Sequence, residues 1–234
     1  MKKVAILQSN YIPWKGYFDI VNAVDELIIY DDMQYTKRDW RNRNKIKTSD
    51  GEQWLTIPVE VKGKYYQSIN ETRACGNSWV EKHKKSIFQN YKKAKCFEEY
   101  WDWLSLLYER CKDEKYLSII SRIFIEAICS KLEIQTRITL SSDYTLRKGK
   151  TERLVGLCRD VDARHYLSGP SAKDYIDASL FEEAGIELSY VDYSGYPQYT
   201  QLHGEFIHGV SILDLILNEG DSATSFMKSF IKNH

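Results

Sequence analysis

Val4-Ala5-Ile6-Leu7, then Gln8-Ser9-Asn10-Tyr11-Ile12-Pro13, and later Leu27-Ile28-Ile29-Tyr30 ahead of Asp31-Asp32, make up the stretch whose reading decides the fold. A short apolar run bounded by polar and turn-forming residues reads as a strand buried on both faces. From Trp14 onward, apolar residues at Tyr17, Phe18, Val21 and Val24 keep helical spacing before the second apolar run begins. Strand, helix, strand is a βαβ unit, which implies a parallel, right-handed pair. In open parallel sheets ligands bind beyond the carboxyl ends of the strands, so the loops Gln8–Pro13 and Asp31–Arg43 are placed at a candidate site.

Outward from this unit, Lys45 to Ile69 reads as short strands, clearest at Trp54–Val59, extending the sheet or forming a flap. Three helical patterns follow, spanning 79–132, and their apolar faces predict a packed helical layer. The α/β rhythm then resumes: strand Thr136–Leu140, helix Thr151–Val161, strand His165–Leu167, helix Leu180–Ala184, strand Ile186–Val191. Ser211 to Lys232 reads as helix broken at Gly220. The expectation is a single α/β domain over 1–234, with a Rossmann-like, mostly parallel sheet, a helical insertion at 79–132 and C-terminal helices.

The chain has 234 residues, with 33 basic and 33 acidic side chains that cancel. This balance argues against nucleic acid as a partner, so any electrostatic site must be local. No apolar run reaches the roughly 18 residues a membrane span needs, and the start lacks a signal-peptide pattern, which predicts no membrane insertion and a cytoplasmic location. Five widely spaced cysteines read as reduced thiols, and no residue set has metal-ligand spacing. The 17 Tyr and 6 Trp offer flat surfaces with polar edges, suited to sugar or nucleoside stacking and equally to half-buried packing.

Gln8, Asn10, Tyr11, Trp14 and Gly16 lie at the strand-to-helix junction, where free backbone amides favour an anion and a glycine permits close approach. The plainer reading makes the aromatics core. Asp31 and Asp32 end the second strand, followed by Gln34, Tyr35, Lys37, Arg38, Arg41 and Arg43, a candidate anion clamp because Arg grips phosphate or carboxylate bidentately. A solvated loop with internal ion pairs is the bland alternative. Ser168, Gly169 and Ser171 form a turn that can close on a ligand from the second half of the sheet. Of the histidines, 83, 165, 203, 208 and 234, His203 is carried as a candidate base. Gly-x-Ser-x-Gly is absent, which disfavours a hydrolase elbow.

These residues resemble the WbqC-like family of bacterial proteins. The resemblance runs through Gln8 to Asp19, Asp31 to Tyr35, Trp40, Asn42 to Asn44, Trp79, His83, Tyr91, Tyr166 to Gly169, Tyr175, Tyr193, Tyr199, Gln201 and Ser211 to Leu215. The family pattern has Pro where this chain has Ser9, which implies a less rigid first loop. The resemblance implies a role in surface-polysaccharide (O-antigen) biosynthesis, with transfer of a small acyl or aminoacyl group, glycyl among them, to the amine of a nucleotide-linked amino sugar. Within it Asp32 is the first candidate base, with Asp31 orienting the amine, and an acyl thioester, free or on a carrier, is the donor. Two alternatives stand beside it: an ATP- and Mg²⁺-dependent carboxylate-adenylating ligase, and a non-catalytic sugar-nucleotide binding protein. A weaker similarity to the nucleotidyltransferase superfamily keeps only the glycine of its His-x-Gly-His signature, in Trp14-Lys15-Gly16-Tyr17.

Overall fold

The computed structural model describes residues 1–231; His234 and the last residue of the expected C-terminal helix, Lys232, lie outside them. The opening unit forms as its periodicities require, with β1 (Lys3–Leu7), α1 (Lys15–Asn22) and β2 (Glu26–Ile29) in order. β1 and β2 pair in parallel, Val4 opposite Glu26 and Leu7 opposite Ile29. After the insertion come β5 (Arg137–Leu140), α5 (Lys150–Asp160), β6 (His165–Ser168), α6 (Ala178–Glu183) and β7 (Glu187–Tyr190). The five strands lie in the order β5-β2-β1-β6-β7, every neighbouring pair parallel. This is a Rossmann-like doubly wound sheet, in which the winding reverses between β1 and β6.

Side chains on successive strand residues point to opposite faces, so an apolar run in a doubly covered strand feeds two cores. On one face Ala5, Leu27 and Ile29 pack with Phe18 and Val21 of α1. On the other, Val4, Ile6 and Ile28 meet Leu154, Val155 and Cys158 of α5 and Phe181 of α6. Fully buried aromatics such as Phe18 hold each layer, and truncation to alanine at such a site costs about 3–5 kcal/mol.

Between β2 and β5 the chain forms a separate antiparallel hairpin, β3 (Arg43–Thr48) and β4 (Gly51–Thr56), rather than extending the main sheet. Three helices follow, α2 (Ser78–Tyr91), α3 (Phe97–Arg110) and α4 (Leu117–Lys131). Their inner faces, including Trp79, Leu104, Tyr108 and Phe124, belong to the same core as α1. α7 (Ile212–Glu219) is capped by Ser211, whose hydroxyl accepts from the Leu213 amide. It ends at Gly220, φ 54°, after which the expected helix is replaced by 3₁₀ turns.

Candidate functional site

A cleft of about 750 Å³ opens at the carboxyl edge of the sheet, at the β1/β6 switch. Loop residues after β1 supply Gln8, Asn10 and Trp14, and the turn after β6 supplies Ser168, Gly169, Ser171 and Tyr175. The start of α5 contributes Gly149, Lys150 and Arg153, and Tyr193 and Arg41 close the sides. α1 and α5 pack on opposite faces of the sheet and both begin at this edge, neither with a side-chain cap, so the positive ends of two helix dipoles flank the cleft from two sides. The lining holds three cations, Arg41, Lys150 and Arg153, and no carboxylate or imidazole.

Arg41 is the most buried of these cations. Its guanidinium donates to Asn10 Oδ1 and stands 3.7 Å from the Asp39 carboxylate, itself held by the Thr36 hydroxyl at 2.7 Å. Burial draws the Arg41 pKa below its usual value, yet a guanidinium stays charged at neutral pH. Trp14 lies edge-on to Tyr193, ring centres 5.0 Å apart, and near Tyr196 at 5.6 Å. Gly16 makes that possible: a Cβ there would fall 2.3 Å from the Trp14 ring. The glycine thus makes room for the chain's own indole rather than for a ligand.

Of the sequence candidates, the fold brings Gln8, Asn10, Trp14, Arg41, Ser168, Gly169 and Ser171 together at the cleft. Others are engaged elsewhere. Tyr11 is fully buried, its hydroxyl 2.9 Å from His83 Nδ1 and 2.6 Å from the Tyr108 hydroxyl, so it cannot stack on a ligand. Asp31 is buried and accepts from the Ser9 amide at 2.8 Å, the Ser9 hydroxyl at 2.6 Å and the Ser118 hydroxyl. Burial pushes its pKa up, against the pull of those donors. Asp32 accepts from Ser141 and from Asn70 at 3.2 Å, off the cleft lining. Tyr35 is buried in the core, and Gln34 donates to the Tyr65 carbonyl at 2.8 Å.

The expected clamp of Lys37, Arg38, Arg41 and Arg43 is divided by local geometry. Arg41 turns into the cleft, whereas Lys37 and Arg38 are exposed and outside it. Beyond residue 43 the chain is strand, and alternation sends Arg43 and Lys45 to the face carrying Trp54. Arg43 lies 4.0 Å over the Trp54 ring, and Lys45 pairs with Glu52 at 2.8 Å. His203 is exposed, with Nε2 3.3 Å from the Asn90 carbonyl, outside the lining. Sequence reasoning missed Lys150, Arg153, Tyr175 and Tyr193 as site residues. The available signal was Gly149-Lys150 ahead of the α5 pattern, with Arg153 one turn on.

The looser first loop expected from Ser9 is not found. Asp31 grips both donors of Ser9, the Tyr11 amide bonds to the Trp40 carbonyl at 3.0 Å, and Asn44 donates to the carbonyls of Tyr11 and Ile12 at 3.1 and 2.9 Å. Ile12 is held at φ 38°, a left-handed conformation costly for a β-branched residue, which persists only where surrounding bonds impose it.

Fold and site together define a doubly wound α/β protein with an anion-attracting, aromatic-flanked cleft at its switch point. The chain belongs to the WbqC-like protein family, whose model matches residues 8–226. It is 52% identical over 228 residues to the uncharacterized protein Rv1507c of Mycobacterium tuberculosis, an alignment covering 97% of this chain and 98% of that one. No solved structure matches. Among the described residues no helix is long and apolar enough to cross a membrane, and no cluster of three or more His, Cys, Asp or Glu has the makings of a metal site.

Proposed function

We propose that the cleft binds a nucleotide-linked amino sugar and that the protein transfers a small acyl or aminoacyl group to its amine, in the making of a bacterial surface polysaccharide. The observation that carries this reading is the switch-point cleft with Arg41, Lys150 and Arg153 in its wall, no carboxylate among them, and Trp14, Tyr175 and Tyr193 beside them. Cations and helix amides suit a diphosphate, and the aromatic edges suit a sugar or base. Asp32 as the base is replaced by a different logic. Positive potential disfavours a second cation, so a bound ammonium loses its proton to solvent more readily than it does in water. The acceptor then lies in the cleft as a free amine. Attack on an acyl thioester forms the C–N bond, expels the thiolate as the C–S bond breaks, and passes the surplus amine proton to that thiolate. An ATP-activated acid is the alternative donor.

The test is incubation of the purified protein with a UDP-linked amino sugar and acyl-CoA, aminoacyl thioester, or acid plus ATP and Mg²⁺, read by mass spectrometry. An N-acylated nucleotide sugar, lost in Arg41→Ala, supports the transferase. The absence of carboxylate and imidazole from the lining favours a second reading, a sugar-nucleotide binding protein without turnover. Tight binding of the sugar nucleotide with no product from any donor supports that one, and absence of binding overturns both.

A further inference from the structure

Asp31 is buried at the end of β2, yet no lysine or arginine lies within ion-pair distance of it among the described residues. A buried carboxylate in that position is costly unless donors satisfy it. Three do: the amide and hydroxyl of Ser9 and the hydroxyl of Ser118 on α4. Two of these come from one residue, and that residue stands between Gln8 and Asn10, both of which line the cleft. Asn10 in turn takes a hydrogen bond from the Arg41 guanidinium, and the Arg41 backbone carbonyl accepts from the Ser121 hydroxyl of α4 at 3.5 Å. The chain of contacts runs from the β2 terminus through Ser9 to the cleft's most buried cation.

We propose that Asp31 is a positioning residue: by clamping Ser9 it fixes Gln8 and Asn10 in the cleft wall, and through Asn10 it sets the Arg41 guanidinium toward the anionic part of the ligand. This rests on the nucleotide-sugar reading for the nature of that ligand, but the clamp itself does not. Asp31 touches no ligand in this scheme. It supplies preorganisation, so that the loop between β1 and α1 needs no ordering when the ligand arrives. A carboxylate accepts from an amide and two hydroxyls together, whereas Asn puts an NH2 where both hydroxyls now donate, so both must turn round to accept and the charge that strengthens all three bonds is lost.

The experiment compares Asp31→Asn, Ser9→Ala and Ser118→Ala with the parent protein by two readouts. The first, independent of any ligand, is amide hydrogen exchange. Asp31→Asn is expected to speed exchange at Ser9 and Tyr11 at least roughly tenfold while the β1 amides keep their protection. The second is the Kd for UDP-glucosamine, expected to weaken roughly tenfold or more in Asp31→Asn, less in Ser9→Ala, and to stay unchanged in Ser118→Ala, which loosens only the α4 side. Unchanged loop exchange in Asp31→Asn overturns the proposal. So does an unchanged Kd, or a Kd that rises equally in Ser118→Ala, either of which makes Asp31 merely structural. If Asp31→Asn does not fold, the contrast between Ser9→Ala and Ser118→Ala carries the same decision. If the parent protein fails to bind UDP-glucosamine, the functional reading falls while the exchange data still decide the clamp.

Discussion

Two regions of this protein collect charged and aromatic residues, and they differ in whether those groups are already satisfied. Around Asp214, fully buried on α7, the valences are filled: its carboxylate accepts from Tyr91 and Tyr199 at 2.7 Å each and from Gln201 at 2.8 Å. Lys47 donates to Gln201 Oε1 at 3.0 Å and to the Glu205 carbonyl at 2.5 Å, and Lys15 to the Pro197 carbonyl at 2.9 Å beneath the Tyr196 and Tyr199 rings. This knot ties the irregular segment after β7 to α1, α7 and the hairpin. The cleft draws on the same residue types but closes them less fully: no carboxylate lines its wall, Arg41 has Asp39 only at 3.7 Å beside its bond to Asn10, and Arg153 donates to the Arg147 carbonyl at 2.8 Å. A charged or aromatic residue marks a binding site when its interactions are left open, and marks architecture when the chain has closed them.

The comparison breaks first at Asp214. Asp214→Ala leaves the buried Tyr91 and Tyr199 hydroxyls without their acceptor and opens a cavity between them, and is expected to cost about 3–5 kcal/mol, a Tm drop on the order of 10 °C. Calorimetry that finds less than a few degrees would show that the knot is not closed. Next is His83, whose pKa is lowered to about 4 chiefly by burial. The unfolded chain takes up a proton near pH 6.5 that the folded protein refuses until about pH 4. Stability is therefore intact above about 6.5 and falls as the pH drops toward 4, by on the order of 3 kcal/mol. Denaturant titrations across that range should show a shallower decline in His83→Gln.

Effects at the cleft are expected in binding as well as in stability. Gly16→Ala forces the Trp14 indole out of its seat and is expected to cost about 1–3 kcal/mol in overpacking, with weakened UDP-glucosamine binding. A variant that binds as the parent does would remove Trp14 from the site. The smallest effects belong to His203→Ala and Arg43→Ala, both outside the lining. Binding by calorimetry should stay within about twofold of the parent, and His203→Ala should change stability by less than about 0.5 kcal/mol. A tenfold loss in Arg43→Ala would restore the undivided clamp.

Much of the architecture was legible because periodicity is a local property. Val4–Leu7 and Leu27–Tyr30 carry enough apolar surface for two faces, and the intervening helical spacing leaves few topologies open. The carboxyl-edge loops followed from the same logic, which is how Gln8, Asn10 and Arg41 could be placed near a site. Asp31 and Asp32 misled because a sequence displays charge and hides partners: Ser118 and Ser141 are distant in the chain and fill those carboxylates in space. Lys150 and Arg153 escaped notice for the converse reason, since they reach the cleft only when α5 crosses to the opposite face of the sheet from α1.

The sequence by itself determined the alternation of strands and helices, the parallel sheet and the carboxyl edge that carries the cleft, because hydrophobic spacing and the handedness of βαβ crossovers act along the chain. Only the tertiary structure decided which charges are spent on holding the protein together and which face the cleft. That division depends on desolvation and on donors and acceptors contributed by residues far apart in sequence, and these meet only once the core has closed.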